Sequence, residues 1–133
     1  REVGGTAGVT LGCKAAKQGF DFDISFSGKA GFVYVKDVAD FVKMSLDKPL
    51  LGALTINING ITADVKKIIS IIKKNIPKSN IGFDINPLSV VDEILGEEPS
   101  KYFENFKYTS LESGIKKTID FYWISESKKK YAY

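Results

Sequence analysis

The chain contains no histidine, one cysteine, one arginine, one methionine and one tryptophan. Each scarcity removes a class of function. Without histidine there is no imidazole to serve as a general base near neutral pH. No histidine and a lone Cys13 also leave no donor set for an ordinary Cys/His zinc site. One cysteine closes no intramolecular disulfide. Arginine is confined to Arg1, so the planar fork that grips phosphate through two parallel hydrogen bonds is missing elsewhere. No stretch approaches the roughly 18 consecutive apolar residues of a spanning helix. The glycine-rich start also lacks the apolar stretch of a secretory leader. These features predict a cytoplasmic protein with neither a metal nor a membrane partner.

The 133 residues are 44% hydrophobic and 26% charged, within the ordinary range for a globular chain. That length fits one domain over residues 1–133, able to bury about two thirds of its unfolded surface. Eighteen lysines and one arginine against 16 acids give a net charge of +3. The excess is too mild to call for nucleic acid. Lysines at 66, 67, 73, 74 and 128–130 come without the aromatic–glycine motif of a common RNA-binding sheet.

Hydrophobic periodicity alternates between strand and helix. DFDISF (21–26) sets Phe22, Ile24 and Phe26 against Asp21, Asp23 and Ser25, a half-buried strand. FVYV (32–35) is a compact apolar run, and Asp37 then offers an N-cap to a helix carrying Val38, Phe41 and Val42. ALTINING (53–60) alternates again and predicts a strand. Thr62 is placed to cap a helix over 63–76, with Val65, Ile68, Ile69, Ile72 and Ile76 as one stripe and Pro77 as its stop. NIGFDI (80–85) predicts a further strand, and PLSVVDEIL a short helix. Thr109 and Glu112 form a T-x-x-E capping box for a helix with Leu111, Ile115, Ile119 and Tyr122 on one face. SESKKKYAY reads as a solvated tail. The alternation predicts an α/β fold, with a small mixed sheet and flanking helices.

The opening GGTAGVTLG raises the possibility of a phosphate-binding loop. A dinucleotide fingerprint needs a strand, a tight G-x-G-x-x-G turn and a helix whose N-terminus meets the pyrophosphate. Here only Arg1 to Val3 could form the strand, and the spacing is Gly4-x3-Gly8-x3-Gly12. The segment therefore predicts a flexible loop entering a helix. Cys13 is expected to be buried, with no base beside it to make it a nucleophile.

Other motifs point further. Phe32-Val33-Tyr34-Val35-Lys36-Asp37-Val38-Ala39, followed by Ile56-Asn57-Ile58-Asn59-Gly60, resembles a stretch of the extended short-chain dehydrogenase/reductase family. These are the NAD-dependent nucleotide-sugar epimerases and dehydratases. The closing pattern of that family is similar to Ser100, Lys101, Ser110, Leu111, Glu112, Gly114, Ile115, Ile119 and Tyr122. Order and spacing agree over roughly residues 18–123. The resemblance covers the C-terminal, substrate-binding part of the family and implies a Rossmann-like parent. The family's catalytic Tyr-x-x-x-Lys and cofactor loop have no counterpart here, so no catalytic or cofactor-binding residue is assigned.

The resemblance implies an NAD(P) cofactor for the intact parent and none held by this chain. It implies a nucleotide sugar or related small molecule as ligand. It also implies that the chain is a fragment whose partner is a missing N-terminal domain, and whose bared apolar surface self-associates or packs with that remainder. Family members place arginine before the first strand and after a later one. Ala30 and Gly31 stand at the first of these places, with Lys29 as the nearest cation. Lys29 is a substrate contact or a solvated turn residue, Asn57 a substrate contact or a loop hydrogen bond, and Lys101 a substrate contact or a structural lysine. Asp37 is a helix cap or a ligand. The aromatics Phe103, Phe106, Tyr108, Phe121, Tyr122 and Trp123 are expected in the core. A free-standing binding or scaffold module that kept the fold is the alternative function.

Overall fold

The computed structural model describes residues 7–48, 50–87 and 96–130, with 123–130 as backbone alone. The fold is mixed α/β. In chain order it comprises α1 (Gly8–Gln18), β1 (Phe22–Ile24), β2 (Lys29–Phe32), α2 (Val35–Asp47), β3 (Ile61–Asp64), α3 (Val65–Asn75), β4 (Ile81–Phe83), α4 (Pro99–Tyr102) and α5 (Leu111–Lys130). β1 pairs in parallel with β4, with Phe22 opposite Ile81 and Ile24 opposite Phe83. β2 pairs antiparallel with β3, from Lys29 opposite Asp64 to Phe32 opposite Ile61.

The core lies where α1, α3 and α5 meet the β1–β4 pair. Ile24, Ile81, Val65, Ile68, Ile72 and Cys13 are fully buried there, joined by Ile115 and Ile119 of α5. The alternation in 21–26 is realised as expected, with Ile24 and Phe26 turned inward. The α3 stripe is likewise buried at Val65, Ile68, Ile69 and Ile72.

The glycine segment departs from the expected loop. Gly8 and Gly12 lie inside α1, which ends at Gly19 in the left-handed region. Close packing explains Gly8, where a Cβ would come within 3.0 Å of Ile24 Cγ2, whereas one on Gly12 would meet Ile24 Cγ1 at an ordinary 3.5 Å. These two glycines bring α1 down onto β1, and Gly4 and Gly5 lie outside the described residues.

Other boundaries also move. Val33 and Tyr34 are not strand, and Val35 opens α2. Thr62 lies inside β3, while Asp64 caps α3 by accepting the Lys66 N–H at 2.8 Å. The cap of α5 shifts by one residue. Ser110 Oγ accepts the Ser113 N–H at 3.3 Å, and Thr109 is engaged elsewhere. Segment 53–60 carries no strand despite its alternation, because none of the described strands pairs with it. The expected tail is helical as far as Lys130. The helix expected over PLSVVDEIL lies outside the described residues except for Pro87, and the Trp123 side chain lies outside them too. Of the expected core aromatics, Phe103, Phe106 and Tyr122 are buried, whereas Phe121 is 63% exposed. No helix among the described residues is long and apolar enough to cross a membrane.

Candidate functional site

Open sheets with parallel strands meet ligands beyond the strands' carboxyl ends, where loops diverge and backbone groups are free to point outward. In this chain that place is the end of the β1–β4 pair. The Asp84 N–H donates to the Ile24 carbonyl at 2.8 Å, which carries the parallel ladder to its last rung. Beyond it, the Ser27 N–H donates to the Asn86 carbonyl and Ser27 Oγ donates to the Ile85 carbonyl, each at 2.8 Å. Asp84 Oδ1 accepts from Asn86 Nδ2 at 3.1 Å, which shapes the turn after β4. The Ile85 side chain stands 87% exposed at this end.

Gly28, with φ of +80°, turns the chain from this end into β2, and its carbonyl accepts the Val65 N–H at 3.0 Å. Lys29 follows at once, exposed, as the first residue of β2. Its ladder partner Asp64 is occupied in capping α3. The first place where the resembling family carries arginine, at Ala30 and Gly31, has no room for one in this backbone. Ala30 points inward at 4% exposure, and a Cβ on Gly31 would come within 2.7 Å of the Asn59 carbonyl oxygen. Lys29 is the cation this geometry presents.

Asn57 and Lys101 lie at a second place, joined through Glu97. The Asn57 N–H donates to the Glu97 carbonyl at 2.9 Å, and its side chain lies against Gly96. Lys101 Nζ donates to Glu97 Oε1 at 2.8 Å, one helical turn away. Tyr102 Oη donates to the other carboxylate oxygen at 3.1 Å. Those two hydrogen bonds, from Lys101 first and Tyr102 second, hold the Glu97 carboxyl below its usual range. The same bond raises the Lys101 ammonium above its usual value.

A companion network stands beside it. Glu98 accepts from Asn59 Nδ2 at 2.8 Å and from Tyr108 Oη at 3.2 Å. Burial raises the Tyr108 phenol, and the backbone N–H groups of Gly60 and Asn59 act against that rise. Lys29 does not join these residues. Gly60 lies against Phe32, whereas Lys29 stands at the opposite end of the β2–β3 ladder. The three expected contacts therefore fall in two places, Lys29 in one and Asn57 with Lys101 in the other.

Two features were not foreseen from the sequence. Ser27 and Asn86 close the end of the parallel pair, and the only hint was the break in alternation at Asn86-Pro87. Asp37 is not the cap of α2, since Tyr34 holds that position. It is 5% exposed and accepts both the Thr109 N–H at 2.8 Å and Thr109 Oγ1 at 2.6 Å. Residues 72 positions apart are thereby tied at the starts of α2 and α5. No local sequence signal announces such a partner. Compared with models of known families, with curated proteins and with solved structures, the chain matches none.

Proposed function

We propose that this chain is the substrate-binding portion of an NAD-dependent nucleotide-sugar epimerase/dehydratase-like oxidoreductase, a Rossmann-like enzyme of the cytoplasm. The observation that carries this is the parallel β1–β4 end with Lys29 beside it. An exposed ammonium next to a polar rim of Ser27 and Asn86 suits a small anionic ligand with hydroxyl groups. Support also comes from Asp37 and Thr109. The two segments that resemble the family most are distant in sequence, yet a buried carboxylate holds them together.

In this role Lys29 takes the anionic part of the substrate, and Ser27 and Asn86 set the floor against which the sugar lies. Asn57 and Lys101 shape a neighbouring loop, and Lys101 reaches a substrate only by leaving Glu97. An N-terminal partner domain would hold the NAD(P) and supply the hydride chemistry, since no tyrosine of this sequence has a lysine four residues later. Alone it binds and does not turn over.

One observation favours the second function, a non-catalytic binding or scaffold module. Buried Ala30 and crowded Gly31 exclude the arginine fork that would hold a diphosphate in two directions. A titration with UDP-glucose, followed by amide NMR shifts, separates the two. Saturable shifts at Ser27, Lys29 and Asn86 that vanish in Lys29→Gln are expected for the substrate-binding portion. Absence of shifts there at millimolar UDP-glucose would overturn it in favour of the module.

A further inference from the structure

Helices α1 and α5 pack side by side. Tyr34, in the link from β2 to α2, lies over the first turn of α5, where a Cβ on Gly114 would come within 3.7 Å of its ring. Between these three parts of the chain runs an elongated cleft of two lobes. Val9, Phe32, Ile68, Leu111 and Ile115 line the inner lobe, which holds about 360 Å³. Phe121 and Tyr122 line the outer lobe, which holds about 420 Å³. Thr10, Val33, Tyr34 and Thr118 line both, so one lobe leads into the other. Small-molecule sites span about 300–1,000 Å³, and each lobe falls in that range. Large apolar side chains stand open at the outer lobe, with Phe121 63% and Val33 40% exposed. Covering them with an apolar ligand is favourable.

The polar groups of the cleft decide which apolar ligand fits. No carboxylate lines either lobe. Lys117 lines the outer lobe with its ammonium 5.4 Å from the centre of the Tyr34 ring. It forms no ion pair among the described residues, whereas its neighbour Lys116 takes Asp120. On α1, Lys14 stands 5.7 Å from the centre of the Tyr122 ring and adds a second positive charge at this lobe. Thr118 Oγ1 donates to the Gly114 carbonyl at 2.8 Å, which leaves it only lone pairs to offer. The Thr10 and Tyr34 hydroxyls make no hydrogen bond among the described residues, so both can donate to an incoming acceptor. The cleft thus joins an apolar interior to a rim that is cationic and rich in donors.

We propose that this cleft binds a linear monocarboxylate of medium chain length. Its tail lies in the inner lobe, against Leu111 and Ile115. Its carboxylate is held at the rim by Lys117 and by the Thr10 and Tyr34 hydroxyls, in charge-assisted hydrogen bonds. The free acid is the ligand, because an ester would bring no charge to Lys117. The cleft opens at the Phe32 end of β2, whereas Lys29 stands at the other end. It therefore stands or falls independently of the nucleotide-sugar reading.

Titration of the whole chain with sodium octanoate, followed by amide NMR shifts, tests it. Saturable shifts are expected at Thr10, Val33, Gly114 and Thr118, and none at Ser27, Lys29 or Asn86. Lys117→Gln, at an exposed position, should weaken octanoate about fivefold, the size of an exposed ion pair. The same change should leave the binding of 1-octanol unaltered. Thr10→Phe, at a position shared by the two lobes, should abolish the binding of both, with circular dichroism checking that helix content is kept. Three results would each overturn the carboxylate site. One is the absence of saturable shifts in the cleft at millimolar octanoate. Another is shifts confined to Ser27, Lys29 and Asn86. The third is octanoate and octanol responding alike to Lys117→Gln.

Discussion

Removing the Asp37 carboxylate should cost more than any other single polar change among the described residues. The side chain is 5% exposed and accepts two hydrogen bonds, from the Thr109 N–H at 2.8 Å and Thr109 Oγ1 at 2.6 Å. A hydrogen bond to a charged acceptor contributes about 1.5–3 kcal/mol, and stranding a buried donor costs about 1–3 kcal/mol. The Thr109 hydroxyl can rotate to a new partner, whereas its backbone N–H cannot. Asp37→Ala should therefore destabilise by about 3 kcal/mol rather than the full sum. Asp37→Asn keeps the shape and one accepting oxygen, so about 1 kcal/mol is expected from the lost charge. Thr109→Val removes only the hydroxyl bond and should cost about 1.5 kcal/mol. Urea unfolding followed by circular dichroism reads each value as a midpoint shift at constant slope. The double variant Asp37→Ala/Thr109→Val should fall short of the sum of the singles by at least about 1 kcal/mol. An Asp37→Ala variant within about 0.5 kcal/mol of the parent, or a strictly additive cycle, would refute the long-range tie.

Packing at the two helical glycines predicts opposite outcomes for the same change. Gly12→Ala adds a Cβ at ordinary contact distance, 3.5 Å from Ile24, and should stabilise by about 0.5–1 kcal/mol through helix propensity. Gly8→Ala meets Ile24 at 3.0 Å and Phe26 at 3.3 Å, so a melting temperature that rises as much as for Gly12→Ala would contradict the structure. Asp64→Ala should cost about 1 kcal/mol as the lost cap of α3, and a silent Asp64→Ala would return the cap to another residue. Burial pushes the Cys13 thiol up to about 12, so a thiol reagent at mildly alkaline pH should label the unfolded chain and spare the folded one. Labelling at equal rates would show the thiol to be open. Burial likewise holds the Tyr108 proton beyond the ordinary tyrosine range. Its contribution to stability is full below the ordinary phenol value and is lost as pH climbs through the raised one. The absorbance titration of the parent minus that of Tyr108→Phe should place its midpoint above an unperturbed tyrosine.

What was legible in the sequence is what repeats along it. Strand β1 and helix α3 followed from period two and period 3.6, because burial of one face is a local pattern that the solvent boundary imposes directly. What was misread depended on a partner distant in the chain. Gly8 and Gly12 resemble a loop by propensity, yet both lie in α1, where contact with Ile24 makes glycine at position 8 the residue that lets the helix sit so low. Asp37 looks like a cap by position, and its partner lies at the start of α5. Thr109 and Ser110 differ by one residue as cap candidates, and Asp37 decides between them by claiming Thr109.

Segment 53–60 shows the same limit from the other side. ALTINING has the alternation of a strand, but a strand is completed by the edge it pairs with, and none of the described strands offers one. Its last residues are instead held by Glu97 and Glu98 through Asn57 and Asn59. The candidate site divides along this line. Lys29 could be singled out because it is the cation nearest in sequence to the place where the resembling family carries arginine. Its companions Ser27 and Asn86 meet only when β1 and β4 lie side by side. Lys101 pairs with Glu97 four residues earlier, an i,i+4 relation that is local in the sequence.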